Sequence, residues 1–341
     1  MADISCDIVV VGAGVLGLCV AVELTARGHD VRVVDPGGPN ASSVAAGMIA
    51  PAFESLLDGA DDRRAALLRD AAALWPSLAD RIGVALDTTP AEWRGGDGED
   101  VATRLRALGF AAERVGEAVR ARDDVKIDVG GGLAGLVAAL DTPVIVAEAM
   151  ALERRATGWR VETTAGAIEA RRLVIATGTA GSLPGAPKEV AALINRIEPV
   201  AGQIGRTKHT MSAGVLRGAD GYVVGAGDHV LIGATMVSGS RDASPDPVAS
   251  TRLVAAAEGL LGEAVSEPVA WSGGVRGATA DGLPMAGPTS APGLHLALAP
   301  RRNGWLVGPL VGRIVADGIE GRPRGPHAAA FDPLRFSPLE A

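Results

Sequence analysis

Arg276 stands among small residues, Gly273-Gly274-Val275-Arg276-Gly277, where a strand should end and a loop over 277–284 begin. A guanidinium in such a place could clamp a carboxylate through two parallel hydrogen bonds. By residue type alone, a surface or structural arginine is the plain alternative. Asn303-Gly304 opens an apolar helical run, 305–319, closed by Gly321 and Pro323. A helix start carries unpaired N–H groups and a partial positive charge, which would stabilise negative charge developing on a bound redox group as it is reduced. Such a start is equally at home as simple packing. No catalytic triad, paired-carboxylate pocket or thiolate site can be assembled from sequence neighbours. Any hard chemical step therefore falls to a cofactor that the protein positions against a substrate.

The element that would hold a cofactor lies at the other end of the chain. Residues 8–11 form a short apolar strand, and Gly12-Ala13-Gly14-Val15-Leu16-Gly17 fits G-x-G-x-x-G. Helical composition over 16–26 ends at Gly28, a β-branched strand follows at 31–34, and Asp35 closes the unit. Gly12 makes the tight turn, Gly14 lets the backbone approach a pyrophosphate, and Gly17 lets helix and strand pack closely. Asp35, about 20 residues on, can accept a hydrogen bond from a ribose hydroxyl. The whole unit predicts dinucleotide binding without distinguishing FAD from NAD(P).

Bulk properties narrow the field. The 341 residues allow two domains, and 48% hydrophobic content is ample for buried cores. A net charge of −8, with no basic run, argues against nucleic acid as the main partner. Aromatics make up only 3%, so packing rests on Ala, Val and Leu. Cys6 and Cys19 are expected to be small buried residues rather than a disulfide framework. The five histidines lack metal-ligand spacing, and no metal is expected. The apolar run 8–22 contains glycines, follows Asp3 and Asp7, and is too short to span a bilayer. The chain is therefore expected to be soluble and cytoplasmic. Asn40-Ala41-Ser42 is a glycosylation sequon by pattern only, idle in that compartment.

Along the chain, Ser42-Ser43 before an Ala-rich run suits a helix N-terminus that holds a phosphate or a ring. Helices are expected over 63–78, interrupted at Pro76, and over 101–108 and 133–140, with a loop at 90–98. Strands are expected at 143–146, 150–154 and 159–163. A buried strand at 172–176 closes on Thr177-Gly178-Thr179-Ala180-Gly181, which suits a second meeting with the dinucleotide. The texture then changes to short strands at 197–204, 222–225 and 230–233, separated by Gly and Asp turns, as in an antiparallel sheet. A helix at 249–261 and a strand at 293–299 follow. The tail 325–341 has no evident partner. The expected fold is α/β, a Rossmann-like dinucleotide-binding domain (1–80, 133–195 and 268–325), an FAD-binding domain by the resemblance given next, with an inserted antiparallel-sheet substrate domain (81–132 and 196–267).

Taken together, these features resemble the D-amino-acid oxidase family of flavoenzymes, most closely its glycine-oxidase branch. The resemblance runs nearly end to end. It is carried by 12–17 with Asp35, by 42–51 (SSVAAGMIAP), 174–181, 199–203, 232–236 (IGATM), 276–284 and 302–304. It implies FAD, held at Gly12, Ala13, Gly14, Val15, Leu16, Gly17, Asp35, Ser42, Ser43, Ala46, Gly47, Met48, Thr177 and Gly178. Backbone at Met150 would face the adenine, and Arg302, Asn303, Gly304 and Trp305 the flavin. Arg276 would bind the substrate carboxylate with help from the Tyr222 hydroxyl, Met236 would line the pocket, and Arg302 would border it. Neither cysteine stands where the sarcosine-oxidase branch attaches its flavin, so the FAD is expected to be non-covalent.

The sequence departs from the family in places. Ala201 stands where Arg usually precedes the Gly-Gln pair, and Gly277 stands where Pro usually follows the clamp arginine. Ala299-Pro300-Arg301 replaces a common Gly-His pair, and the span 88–132 is short. The implied reaction is oxidation of the amine of a small amino acid (glycine, sarcosine or a D-amino acid). Hydride passes to flavin N5, and the resulting imine hydrolyses to an oxo acid, with oxygen as acceptor. A dehydrogenase of the same fold that passes electrons to a quinone or carrier is the alternative, and a non-catalytic nucleotide-binding module the remote one. The choice of amino acid, the acceptor and the oligomeric state are open at this stage.

Overall fold

Val9, Val10 and Val174 are wholly buried, and strand pairing explains it. In the computed structural model, which describes residues 4–96, 98–211 and 214–336, strand Ile4–Val11 runs parallel to both Gly166–Ile175 and Val31–Asp35. A parallel strand covered on both faces needs a continuous β-branched run, which IVVV supplies. The chain forms two compact units, Met1–Ser43 with Leu133–Val200 and Arg276–Ala341, and Val44–Gly132 with Ala201–Val275. Residues 44–80, expected with the FAD-binding part, cluster with the second unit.

The first unit is built on a mixed sheet. Ile145–Val146, Val31–Asp35, Ile4–Val11 and Gly166–Ile175 lie side by side in parallel, and Gly158–Thr163 and Ala149–Arg155 continue antiparallel. Leu294–Leu298 joins the far half of Gly166–Ile175, and Met285–Pro288 pairs with it. Helices Val15–Ala26 and Gly304–Ile319 pack along each other in parallel: Gly304 meets Val15, Gly308 and Gly312 meet Cys19, and Arg27 reaches Asp317. Small residues at this spacing let the two backbones approach. At the C-terminal ends Arg27 also binds Glu320 at 2.6 Å and Glu23 at 2.9 Å. Residues 325–336 of the tail are no loose end, and 337–341 lie outside the described residues. Helix Ala328–Phe331 buries Phe331 completely, and Arg335 pairs with Asp281 at 2.8 Å. Its apolar anchors are too few and too widely spaced to betray this in sequence.

Among the described pairings of the second unit's sheet, that between Val215–Arg217 and Ala91–Trp93 is parallel, while Tyr222–Ala226 runs antiparallel to both Val215–Arg217 and His229–Gly233. Ala91–Trp93 falls in the expected loop 90–98, because both faces of this short strand find cover; Ala91 and Trp93 are buried on one face and Glu92 on the other. Phe53 packs against Trp93 with ring centroids 5.7 Å apart. Helix Pro247–Leu261 covers a smaller core of Leu216, Val223, Val230 and Ile232. Its N-terminus is capped by the Asp246 carboxylate, which accepts from Val248 N and Ala249 N. Strands Glu198–Lys208 and Ala270–Ala278 each carry the chain across the division between units. Among the described residues, no helix is long and apolar enough to cross a membrane.

Candidate active site

The glycine turn shows why only glycine serves at two of its positions. Gly12 has φ +112°, and its N–H donates to Val34 O at 2.8 Å. A Cβ on Gly12 would lie 2.7 Å from the Ala176 carbonyl carbon and overlap the oxygen. A Cβ on Gly17 would overlap Gly12 O. The turn is therefore pressed against the end of strand Gly166–Ile175, the stretch expected to meet the dinucleotide a second time. There Thr177 Oγ1 is shielded from solvent without a hydrogen-bond partner. A buried hydroxyl is seldom left so unless a ligand completes it.

Asp35 is aimed at the same turn. Its carboxylate accepts from Ala13 N and from Gly37 N, each at 2.7 Å. Beyond it the structure corrects the expectation of a helix at Ser42. The serine pair lies in a turn, Met48–Ile49 is a short strand, and the helix starts only at Pro51. Pro51, at a first-turn position where its missing N–H costs nothing, sets that later start. Ser42 still reaches a helix start, that of Val15–Ala26, where its Oγ accepts from Val15 N at 3.0 Å. Met150 falls at a bulge: Ala149 pairs with Thr163 and Ala151 with Glu162, so the ladder skips Met150. Its side chain is half exposed at 50%, and a skipped residue is one whose backbone can turn to a ligand. Gly178 is exposed with φ +65°.

Beside the start of helix Val15–Ala26, which Gly304 meets at Val15, the first unit gathers Arg276, Arg302, Asn303, Gly304 and Trp305. Arg301 N donates to Gly277 O at 2.8 Å, and Ala278 bridges Pro300. Arg276 and Arg302 are thus each one residue from the same backbone hydrogen bond. Both are half-buried. Ala299 and Arg301 have φ of 61° and 52°, a left-handed conformation that L side chains rarely adopt. Strain of this kind is held where surrounding structure over-determines it, commonly at sites of function. Asn303 forms no side-chain cap; its N–H donates to Pro300 O at 2.9 Å and its carbonyl accepts from Val307 N at 2.9 Å.

In the second unit Tyr222 pairs across strands with Gly233. A Cβ on Gly233 would lie 2.6 Å from Tyr222 Cε2 and closer still to the phenol end, so the ring lies over this glycine. Gly233→Ala is expected to displace the phenol. If the hydroxyl helps bind substrate, KM should rise about tenfold with FAD retention unchanged, which steady-state kinetics and the flavin spectrum would check. Gln203 anchors the neighbouring segment. Its backbone N–H donates to Thr235 Oγ1 at 2.9 Å, and its amide donates to Ser250 Oγ at 2.8 Å and accepts from Asp246 N at 2.6 Å. Met236 follows Thr235, with its side chain 39% exposed. Ala46 and Gly47 are buried and Met48 half-buried in this unit.

Sequence reasoning missed a buried polar cluster here. Asp124 accepts from Ala52 N at 2.7 Å and Phe53 N at 3.0 Å, capping helix Pro51–Leu57 from another part of the chain. Glu54 is ion-paired with Arg217, whose other nitrogen lies 3.9 Å from the Met48 sulfur. Burial pushes the Asp124 carboxyl up to about 7, aided by the Glu54 charge and opposed by the Phe53 and Ala52 N–H groups and by Arg217. The folded protein then binds more protons than the unfolded chain between about 4 and about 7. This stabilisation is complete at acid pH and lost as pH rises through about 7. Unfolding free energies measured at about pH 5 and about pH 8 should fall with pH more in the parent than in Asp124→Asn. Among the described residues no group of His, Cys, Asp and Glu is arranged to hold a metal. Cys6 and Cys19 are free and buried, and burial raises both thiols.

The first unit thus offers a pressed glycine turn, an acid aimed at it, an orphaned hydroxyl beside it, and a second helix start alongside. These suit the phosphates, ribose and ring of a flavin dinucleotide. Comparison with known proteins agrees. The family described as "FAD dependent oxidoreductase" (DAO) matches residues 7–318. Glycine oxidase of Geobacillus kaustophilus (strain HTA426) is 28% identical, over 97% of this chain and 96% of its own. The crystal structure of glycine oxidase from Geobacillus kaustophilus superposes with a TM-score of 0.81 at 25% identity, covering 97% of this chain and 99% of that one. L-proline dehydrogenase from P.horikoshii shares the fold, with a TM-score of 0.81, 18% identity and 98% of each chain covered. With the motif's geometry and the family match spanning both ends of the cradle, the chain belongs to the DAO family of FAD-dependent oxidoreductases.

Proposed function

We propose that this flavoenzyme oxidises the amine of a small amino acid, in the manner its similarity to glycine oxidase suggests. The observation that carries the reading is Arg276, one residue from the Gly277–Arg301 hydrogen bond that fixes the loop leading into helix Gly304–Ile319. A guanidinium fixed there by backbone can take a substrate carboxylate in a bidentate grip. Arg302 borders the same place, and in the second unit Tyr222, ordered over Gly233, and Met236 are the residues that the family resemblance assigns to substrate. The carboxylate grip sets the α-carbon at a fixed distance and angle, and positioning of this kind supplies most of the rate. No side-chain base is required of the protein if the substrate amine arrives neutral.

We assign FAD, held non-covalently, to Gly12–Gly17, Asp35, Ser42, Ser43, Ala46–Met48, Met150, Thr177, Gly178 and 302–305. When bound, it supplies the two-electron acceptor that the chain's own side chains lack. The imine product hydrolyses in water to an oxo acid and ammonia, or to a smaller amine from an N-substituted substrate. Oxygen is the proposed acceptor and the cytoplasm the proposed compartment, in keeping with two unpaired cysteines. Product analysis tests the reading: oxo acid, ammonia and hydrogen peroxide should appear in equal amounts from glycine or another small amino acid. Oxo acid without peroxide, with turnover that depends on an added quinone, would make the enzyme a dehydrogenase. No oxo acid from any amino acid would end the amino-acid reading.

A further inference from the structure

Ser42 is engaged at both its oxygens. Its Oγ accepts from Val15 N–H at 3.0 Å, and its backbone carbonyl accepts from the Trp305 indole N–H at 3.1 Å. Val15 opens helix Val15–Ala26, whose N-cap Gly14 has no side chain to cap with. Trp305 lies in the first turn of Gly304–Ile319, whose N-cap Asn303 also makes no side-chain cap. One serine therefore ties together the starts of two parallel helices, 27 and 263 positions away in sequence. The far ends of the pair are tied separately, by Arg27 to Asp317 and Glu320. What holds Ser42 is Asn40. Its side-chain oxygen accepts from Ser42 N at 2.9 Å and Ser43 N at 3.1 Å, and Ser43 Oγ donates back to Asn40 O at 2.9 Å. The sequon pattern Asn40-Ala41-Ser42 is thus a turn former, with its amide oxygen committed to the backbone.

We propose that Asn40 and Trp305 are positioning residues for FAD: acting through Ser42, they hold the two helix starts side by side so that both address one cofactor. The proposal rests on the reading that the pyrophosphate lies at the first start and the flavin at the second. Each start supplies N–H donors and a partial positive charge only within its first turn. A shift of one start against the other would therefore cost affinity even with every cofactor-contacting residue intact. The Trp305 indole N–H is spent on Ser42, so the indole acts on the cofactor through the turn, while the backbone at 305 is what is assigned to the flavin.

The test measures FAD affinity of apoprotein by quenching of FAD fluorescence, with apoprotein melting recorded alongside. Trp305→Phe keeps an aromatic ring and removes the N–H; Asn40→Ala removes the turn's acceptor without touching the core. Each should weaken FAD binding about tenfold, roughly the effect of losing one hydrogen bond in Trp305→Phe and two weaker, more exposed ones in Asn40→Ala. The double variant should lose less than the product of the two, because both act through Ser42. Asn40→Asp, which keeps an acceptor oxygen, should stay within about threefold of the parent. Trp159→Phe is the matched control: Trp159 donates to Pro292 O at 3.2 Å, away from the helix starts, and its loss should leave FAD affinity unchanged. If Trp305→Phe does not fold, Asn40→Ala and Asn40→Asp carry the test. Parent-like FAD affinity in Asn40→Ala, or equal losses in Trp159→Phe and Trp305→Phe, would overturn the proposal while leaving FAD binding intact. Failure of the parent itself to take up FAD would overturn both.

Discussion

Replacing Arg276 by methionine is expected to lower kcat/KM for the amino-acid substrate by about 10²–10³-fold while the purified protein stays yellow. A bidentate, charge-assisted grip on a carboxylate is among the strongest polar interactions a protein makes, and a side chain of similar length without charge removes it whole. Most of the loss should fall on KM, because the grip is already made in the bound complex. Lysine should restore little, since a point charge does not reproduce the planar fork. FAD content should not move: the Gly277–Arg301 bond that fixes the neighbouring loop is backbone to backbone. Stopped-flow reduction at several substrate concentrations, with the visible spectrum as the cofactor check, separates the two effects. Loss of yellow colour in Arg276→Met would mean that the arginine supports the fold or the cofactor instead.

Gly12→Ala should have the opposite pattern, a colourless protein. The added Cβ meets the Ala176 carbonyl, so the turn must lift from the strand end that carries Thr177. Gly28→Ala isolates the other component of the change. Gly28 also has positive φ, at +85°, but a Cβ there meets nothing within 4 Å. It should cost only the left-handed penalty, about 1–2 kcal/mol, and keep its flavin. Gly12→Ala should lower FAD affinity by at least about 100-fold, because the phosphate-facing backbone itself moves. Comparing flavin content after purification and thermal stability with and without added FAD distinguishes a displaced turn from simple strain.

The cofactor end was legible because it is local. Strand, turn, helix, strand and acid follow within the first 35 residues, and each signal is a residue type with one conformational consequence. The start at Gly304 was legible for the same reason. The turn at Ser42 was not, because two serines before an Ala-rich run satisfy the N-cap rule equally well, and what overrides it is Asn40 on one side and Pro51 on the other. Asp124 lies 71 and 72 positions from the N–H groups it binds, so nothing in its neighbourhood announces the pairing. Arg217 and Glu54 are separated by 163. Burial of charge of this kind depends on which strands become neighbours, and periodicity is silent on that. The tail was misjudged because its large buried anchor is a single phenylalanine, Phe331, and a further tie, Arg335 to Asp281, joins residues far apart in sequence.

The central claim is that an amino-acid amine reduces this protein's flavin. Anaerobic titration of the yellow holoprotein with glycine, sarcosine and a panel of small D-amino acids tests it directly. At least one should bleach the visible flavin band to completion, and the same compound at equal, sub-saturating concentration should bleach Arg276→Met about 10²–10³-fold more slowly. A holoprotein that keeps its full colour with every amino acid, yet is bleached by a chemical reductant, would contradict the account.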